Sequence, residues 1–193
     1  MPRPRQFDEA EVIAAARDQF WRRGYAGTSI DDLTAATGLG KGSLYGAFGD
    51  KRELFLRALD AYIGERMHRV RDELRDPRRP ACDRLTRHLR AQVAATCADT
   101  TRRGCMMANS AAELGDSDPA VERMIGRAYR EWGALLAECI GEAQRDGAID
   151  SRRDVRSLAT VVLAFLRGQE GLRKGGVKPA QLKAGVEEMI TLL

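Results

Sequence analysis

The chain has 193 residues, enough for a sizeable hydrophobic core, and its 44% apolar and 31% charged residues are ordinary for a globular protein. The formal net charge of +4 is too small to indicate a nucleic-acid partner, and residues 1–55 carry eight basic and eight acidic groups. The longest largely apolar run has nine residues, 158–166, and no apolar segment of the signal-peptide type is present, so we expect a cytoplasmic protein without membrane contact.

Apolar residues recur at helical spacing along nearly the whole chain, and no segment alternates with the two-residue period of a strand. The first stripe is Val12, Ala16 and Phe20, and a break at 76–80 separates the first four predicted helices from the rest. Limits of the later helices are predicted from capping residues, proline and glycine: Asp118-Pro119, Gly147, Ser151 or Asp154, Gly175-Gly176 and Pro179. We therefore predict an all-α protein with about nine helices.

The stretch from about 29 to 48 reads as two short helices joined by a tight turn. Thr28 or Ser29 can start the first helix with a capping box, because an acidic residue follows three positions later in each case. Gly38 suits a left-handed cap at the end of that helix, and the second helix begins near Gly40. This arrangement is typical of the DNA-binding helix-turn-helix.

Glycine is unusually frequent in the second helix of this motif: Gly40, Gly42, Gly46 and Gly49 lie in or beside it. An interior glycine costs a helix roughly 1 kcal/mol relative to alanine. One interpretation is a helix that enters the major groove, where a missing side chain lets the backbone approach the DNA, and such a helix would be marginally ordered without DNA. The other interpretation is a poor helix that a short element tolerates.

The motif resembles the DNA-binding domain of the tetracycline-repressor (TetR) family over about residues 8–60. The agreeing positions, in order and spacing, are Phe20, Gly24-Tyr25, Thr28-Ser29, Asp32-Leu33, Gly38, Lys41-Gly42-Ser43-Leu44-Tyr45, Phe48, Lys51 and Leu54. The remainder resembles the family only in its helical plan, although Gly104-Cys105-Met106-Met107-x-Asn109 is similar to a stretch in one of its subfamilies.

The resemblance implies a set of side chains that face DNA: Thr28, Lys41, Ser43, Tyr45 and Lys51. A phenol and an ammonium group suit phosphate or guanine contacts, and Lys51 begins a helix whose free N–H groups favour a phosphate. Alternatively, Lys51 is a solvated lysine and Tyr45 a partly buried aromatic residue. We add Gly42, for close backbone approach, and Arg5, as part of a minor-groove arm at residues 1–7 that is equally compatible with a solubilising terminus.

One departure from the family pattern bears on sequence recognition. Many members carry large polar or aromatic residues at the two positions before Phe48, where this chain has Gly46-Ala47. Base discrimination then depends on fewer side chains, on the backbone or on DNA shape.

We predict a DNA-binding domain at residues 8–55 and a ligand-binding and dimerisation domain at 56–193. Two heptad-like stripes near the end suit helix packing as in four-helix bundles, and the resemblance implies that a homodimer forms there; the alternative is that they complete the monomer core. The predicted dimer residues are Val155, Leu158, Val162, Phe165, Leu182, Val186, Met189 and Leu193.

The resemblance also implies a cavity for a small-molecule effector between residues 82 and 146. The candidate lining residues are Cys105, Met106, Met107, Asn109, Tyr129, Trp132, Leu136 and Phe165, and each is also compatible with a plain core position. Effector binding would shift the fourth helix, Lys51 to about Arg75, and thereby release a palindromic operator on double-stranded DNA. No metal or other cofactor is expected.

Three alternative functions follow from the same residues. Cys105 beside two methionines suggests a sensor of oxidants, electrophiles or copper(I), whereas the four cysteines lack a Cys-x-x-Cys pair and are expected to be reduced thiols. A helical interaction module without DNA binding is the second. Catalysis is the third; the glycine-rich run at 38–43 lacks the Lys-Ser/Thr pair and the preceding strand of a phosphate loop, and we predict no enzyme.

Overall fold

The computed structural model describes residues 7–193, and this part of the chain contains nine α-helices and no strand, which confirms the predicted all-α class. The predicted arm with Arg5 lies outside the described residues, apart from Phe7. The helices are α1 (Glu9–Arg23), α2 (Ile30–Thr37), α3 (Lys41–Phe48), α4 (Lys51–Leu74), α5 (Ala81–Ala98), α6 (Met106–Leu114), α7 (Pro119–Arg145), α8 (Val155–Lys174) and α9 (Pro179–Thr191).

Side-chain caps fix several helix starts. Ser29 and Asp32 form the full capping box of α2, with the Ser29 hydroxyl accepting from Asp32 N at 3.0 Å and the Asp32 carboxylate accepting from Ser29 N at 2.9 Å. Of the two capping boxes left open, the one at Ser29 is therefore confirmed. Asp154 caps α8 and Asp118 accepts from Ala120 N at 2.9 Å at the start of α7.

Gly38 ends α2 in the left-handed conformation that the turn of the motif requires, with φ 71° and ψ 6°. Its N–H donates to Thr34 O at 3.0 Å, so the last turn of the helix is closed. Two residues later Gly40 opens α3 without a side-chain cap. The predicted turn between the two helices is confirmed.

The chain divides into two compact units that are not contiguous in sequence. The first contains the segment that ends at Glu65 together with Met106–Ile125, and the second contains Arg66–Cys105 with Gly126–Leu193. The division into these units differs from the predicted domain boundary after residue 55. That boundary separates the predicted DNA-binding domain from the predicted ligand-binding and dimerisation domain, and it stays a prediction. Within residues 7–193 no helix combines the length and the apolar character that crossing a bilayer demands.

Aromatic side chains fill the core of the first unit. The rings of Phe20 and Phe55 meet edge to face with centroids 5.1 Å apart, and Tyr25 packs 5.1 Å from Phe55. Leu33 of α2 is fully buried, and α2 contacts both α1 and α3. This packing holds the two helices of the motif in a fixed mutual orientation.

The second unit is built around α5, which packs against α8 and α9. Five of the residues predicted to face a partner subunit are instead buried inside this unit, each with no more than 9% exposure: Leu158, Val162, Leu182, Val186 and Met189. The prediction was wrong for these side chains, because both stripes complete the core of the monomer. Val155, Phe165 and Leu193 are only partly buried.

Candidate nucleic-acid interface

Helix α3 is amphipathic in the way a DNA-reading helix requires. Leu44 and Phe48, four residues apart, are 3% and 2% exposed and hold the helix in the core of the first unit. The opposite face is open to solvent and carries the predicted contact residues on this helix: Lys41, Gly42, Ser43 and Tyr45. Their exposure agrees with the prediction, and their role in DNA binding stays a prediction.

Tyr45 and Lys41 give this face its chemistry. The Tyr45 side chain is 45% exposed, which argues against the alternative of a mainly buried aromatic residue. Lys41 Nζ lies 2.7 Å from Asp31 Oδ1, and the hydrogen bond to Asp31 raises the pKa of Lys41, so the ammonium group stays charged. Both partners are well exposed, and exposed ion pairs of this kind contribute little, so a phosphate can compete for the lysine.

The structure corrects the prediction for Thr28. Its side chain is fully buried, and its hydroxyl donates to Gly24 O at 2.7 Å, closing the turn that precedes α2. A hydroxyl in this position does not reach a DNA phosphate. The capping role that sequence had left open between Thr28 and its neighbour belongs to Ser29.

Lys51 lies in the first turn of α4, with its Nζ 4.3 Å from the centre of the Tyr25 ring. The helix start is less open to a phosphate than predicted, because Asp50 Oδ1 accepts from Glu53 N at 2.8 Å. The Asp50 carboxylate therefore already accepts a hydrogen bond from one of the N–H groups at this helix start. Lys51 remains the nearby cation that can approach a DNA backbone.

The glycines of α3 are not required by packing within the protein. A Cβ atom added at Gly40, Gly42 or Gly46 would meet no heavy atom within 4 Å. The chain thus accepts the low helix propensity of glycine at these positions without a steric reason inside the described residues. Because Gly64 on α4 and Gly133 on α7 meet the same open space, both interpretations of the α3 glycines stay open.

Replacing Gly46 by alanine is expected to stabilise the free protein and weaken DNA binding at the same time. The added methyl group improves helix propensity by about 1 kcal/mol, whereas on DNA it would stand between the helix and the groove. Urea unfolding and a DNA-binding titration on the same variant measure the two effects. As a control, Gly133→Ala on α7, where a Cβ also meets no heavy atom within 4 Å, should leave DNA binding unchanged. Equal or tighter DNA binding by Gly46→Ala would contradict the close-approach interpretation.

Two carboxylates of the segment Met106–Ile125 bind residues next to the helix-turn-helix. Glu113 of α6 accepts from Tyr25 N at 2.9 Å and from Ala26 N at 2.7 Å. Gly24, at φ 76°, is required beside it, since a Cβ there would lie 2.7 Å from Glu113 Oε2. Nothing in the sequence signalled this long-range contact.

The second attachment joins the starts of α4 and α7. Arg52 Nε donates to Asp118 Oδ2 at 2.7 Å and Arg52 Nη2 to Asp118 Oδ1 at 2.9 Å, so the guanidinium group grips both carboxylate oxygens. Sequence reasoning identified Asp118 as a helix cap but missed its partner. Hydrogen bonds from Arg52 hold the pKa of Asp118 at about 2, below its ordinary value of 3.8.

The Asp118 pKa predicts a pH-dependent loss of stability. Because the folded-state pKa is depressed, the carboxylate stabilises the fold fully above pH ~4, and this contribution is lost as the pH falls toward 2. Asp118→Asn keeps a good helix cap and removes the charge, so it should cost about 0.5–1 kcal/mol at pH 7, discounted because Arg52 is 42% exposed. In urea unfolding, the difference between wild type and variant should shrink between pH 4 and pH 2. A difference that stays constant over that range would count against the ion pair.

The predicted effector-pocket residues are divided between the two units. Met106, Met107 and Asn109 belong to the first, and Cys105, Tyr129, Trp132, Leu136 and Phe165 belong to the second. Five of the eight are at most 1% exposed: Cys105, Met106, Met107, Trp132 and Leu136. A different feature, a groove of about 400 Å³ between α5 and α9, is lined by Val93, Ala94 and Ala184 among others and by none of the predicted pocket residues.

Trp132 is the centre of a buried polar network in the second unit. Its Nε1 donates to His88 Nε2 at 3.1 Å, and His88 Nδ1 lies 2.6 Å from Glu73 Oε2, which also accepts from Gln92 at 3.1 Å. Burial lowers the pKa of His88, against the opposing effect of Glu73. The imidazole is therefore neutral, with its proton on Nδ1.

Helical periodicity alone did not identify this network. The sequence predicted Trp132 as a pocket residue and assigned no role to His88. Within the described residues, no group of three or more His, Cys, Asp or Glu side chains is placed to hold a metal ion.

Comparison with known proteins covers both parts of the chain. Residues 12–58 match the family described as "Bacterial regulatory proteins, tetR family", and residues 81–174 match "Tetracyclin repressor-like, C-terminal domain". Among curated proteins, the chain is 29% identical over 159 residues to the HTH-type transcriptional repressor DhaR of Mycobacterium sp. (strain GP1), covering 81% of this chain and 77% of that protein. It is 26% identical over 166 residues to the HTH-type transcriptional repressor ComR of Escherichia coli (strain K12), covering 86% and 79%.

A solved structure gives the same result over nearly the full length. The TetR family transcriptional regulator CifR, as a cysteine mutant complexed with 26-bp double-strand operator DNA, is similar with a TM-score of 0.86 and 33% identity, covering 98% of both chains. The similarity therefore includes both the motif and the helices that follow it.

Proposed function

Because the chain belongs to the TetR family, and because the relatives named above are DNA-binding transcriptional regulators and not enzymes, we propose that it is a repressor. A small-molecule effector releases this repressor from a palindromic operator. Its partners are double-stranded DNA, a second copy of the chain and the effector, and it acts in the cytoplasm. The DNA-reading part is the helix-turn-helix at about 29–48, within the predicted domain 8–55.

The observation that carries the proposal is the open face of α3. This face combines the exposed Tyr45, Ser43 and Lys41 with glycines that leave its backbone accessible. The helix is anchored from behind by Leu44 and Phe48, and a capping box fixes the preceding helix. An ordered scaffold that presents a small polar face suits insertion into a major groove.

The experiment that tests the proposal is selection of bound sequences from a random duplex pool, followed by a salt titration on the selected site. An approximately palindromic site whose affinity falls steeply with salt is the expected result. No enrichment at low salt would remove DNA binding from the proposal and leave a helical interaction module.

The dimer that we propose uses the outward faces of α8 and α9 instead of the stripes predicted from sequence. Val161 and Leu172 on α8 are 54% and 50% exposed, and Leu192 after α9 is 62% exposed. Val161 and Leu172 lie three turns apart on one face of α8, and exposed large apolar residues on one helix face are typical of an interface that a partner covers. Such a dimer would place two α3 helices about one DNA turn, ~34–36 Å, apart.

Val161→Glu is expected to shift the protein from dimer to monomer and to weaken operator binding by about 100-fold or more, because the second half-site is then no longer held by the same molecule. Sedimentation and a DNA titration measure the two effects, while the unfolding midpoint of the monomer should be little changed. Ala134→Glu, at an exposed position on α7, is the matched control. A variant that remains a dimer would place the interface elsewhere.

Effector control would act through α4, which is continuous from Lys51 to Leu74 and so extends from the first compact unit into the second. A ligand changes DNA affinity only by its differential affinity for two positions of this helix, typically about 1–3 kcal/mol.

One observation favours a thiol-responsive variant of the same function. Cys105 is 1% exposed, and Arg167 Nη1 donates to its sulfur at 3.1 Å, so the thiol lies beside a fixed cation. Cys105→Ser separates the alternatives. A loss of response to oxidant, electrophile or copper(I) with DNA binding retained would support the thiol sensor, and an unchanged response would exclude it.

A further inference from the structure

One edge of the Arg167 guanidinium group on α8 has no hydrogen-bond partner. Its Nη1 donates to Glu170 Oε2 at 2.7 Å and to Cys105 at 3.1 Å, whereas its Nε and Nη2 are buried and form no hydrogen bond within residues 7–193. These two atoms form the side-on edge of the guanidinium group, which presents two parallel N–H donors. A buried N–H donor of a charged group that has no acceptor destabilises the fold by at least as much as the loss of an ordinary hydrogen bond.

The same edge binds a carboxylate elsewhere in this chain. In four other arginines the Nε and Nη2 atoms donate to the two oxygens of one acidic side chain at 2.5–3.1 Å. The pairs are Arg52 with Asp118, Arg78 with Asp76, Arg90 with Glu187 and Arg152 with Asp150. The unpartnered edge of Arg167 therefore has the geometry that a planar carboxylate fills.

The acid beside Arg167 is shared with a second arginine. Glu170 is 6% exposed and is shared by two guanidinium groups, with Oε1 at 2.7 Å from Arg66 and Oε2 at 2.7 Å from Arg167. Both arginines lie over the Trp132 ring, at 5.1 and 4.4 Å from its centre. An anion at the unpartnered edge of Arg167 would therefore stabilise this buried guanidinium group.

Three titratable groups nearby do not supply an anion for this edge. Burial raises the pKa of Tyr129 to about 12 and lowers that of His88, so both are neutral. Glu73 accepts from His88 and Gln92.

We propose that Arg167 anchors a small organic carboxylate through its Nε–Nη2 edge above Trp132, and that the effector belongs to this chemical class. The effector role rests on the proposed function, whereas the anion site itself does not. Arg66, which shares Glu170 with Arg167, lies in α4, so an anion here changes the charge that this helix faces in the second unit.

The stability of Arg167→Met tests the site without knowledge of the ligand. The variant removes the two buried donors that lack acceptors and leaves Glu170 paired with Arg66, so its Tm in ligand-free buffer should equal or exceed that of wild type. Arg84→Met is the control, because Arg84 is 9% exposed on its side chain, pairs with Glu142 and also donates to Leu74 O, so its loss should lower Tm by several degrees. A Tm drop in Arg167→Met as large as in Arg84→Met would assign Arg167 a structural role and overturn the proposal.

Carboxylate binding is measured by the fluorescence of Trp132 in a Trp21→Phe background, since the chain has only these two tryptophans. Formate, acetate and benzoate are titrated at constant ionic strength against chloride, with formate included because the edge is buried. Benzamide and inorganic phosphate are the comparators. We expect a saturable change with at least one carboxylate, at least tenfold weaker binding of both comparators, and at least a tenfold loss in Arg167→Met.

No saturable change with any of the three carboxylates, an equal change in Arg167→Met, or tighter binding of phosphate would overturn the carboxylate site. A DNA titration with and without the binding carboxylate completes the test, and unchanged DNA affinity would remove the effector role. If DNA is bound and no carboxylate binds, the inference fails alone. If a carboxylate binds and no DNA sequence is selected, the proposed function fails alone.

Discussion

Trp132→Ala is expected to destabilise the protein by about 3–5 kcal/mol, because the side chain is fully buried in the second unit and its removal leaves a cavity. The loss also leaves His88 Nε2 without its donor. Unfolding by urea, followed by circular dichroism so that the missing indole does not affect the signal, measures the effect.

Trp132→Phe separates the two contributions. It retains most of the ring and loses only the hydrogen bond, so its cost should be about 1–3 kcal/mol. Trp21→Ala is the matched control, because Trp21 is only partly buried and packs against Tyr62 at 5.0 Å. If Trp21→Ala is as costly as Trp132→Ala, the Trp132 network is not the centre of the core that we describe.

Tyr45→Phe should weaken binding to the selected operator by about 30-fold without changing the unfolding midpoint. The phenol is 45% exposed, so its hydroxyl contributes little to the fold. In a dimer the substitution removes two hydrogen bonds to phosphate, each of about 1 kcal/mol or more. A fluorescence-anisotropy titration at fixed salt measures the change.

The salt dependence distinguishes this hydroxyl from a cation. Tyr45→Phe should leave the slope of log K against log salt nearly unchanged, whereas Lys41→Ala should reduce it by about one unit per half-site. Lys178→Ala, an exposed lysine before α9, is the control for a general effect of charge. Unchanged operator affinity in Tyr45→Phe would show that α3 does not contact DNA through this side chain.

Local signals in the sequence predicted the fold well. Helix starts at Ser29, Asp118 and Asp154 and the left-handed Gly38 depend on neighbouring residues only, so they are legible without a structure. The exposed face of α3 follows equally from the buried positions of Leu44 and Phe48.

The residues that were misassigned depend on packing and hydrogen-bond partners, which the pattern of a single helix does not determine. An apolar stripe such as Leu158 and Val162 shows that one face of α8 is buried, but not whether its own subunit or a partner covers it. Thr28 carries a hydroxyl that suits a phosphate equally well as the backbone carbonyl of Gly24 that it binds.

Contacts across long sequence separations escaped the sequence entirely. The partners in Arg52–Asp118 are separated by 66 positions in the sequence, and those in Arg66–Glu170 by 104. Arginine and acidic residues are too common in this chain for such pairs to be predicted from their spacing. The site at Arg167 is of the same kind, since its character depends on which partners the fold leaves it without.

The discontinuous first unit limits how this regulator can be recombined. The first unit, which carries the helix-turn-helix, also includes the segment Met106–Ile125. Glu113 and Asp118 of that segment attach it to the N-terminal part of the unit. A chimera that transplants only the N-terminal 65 residues onto another sensor would leave the Tyr25 and Ala26 amides without their carboxylate and Arg52 with Glu53 but without Asp118. Exchange of DNA specificity between such proteins therefore calls for a two-piece graft, and natural shuffling of the N-terminal segment alone is expected to be tolerated only where the recipient supplies equivalent acidic residues.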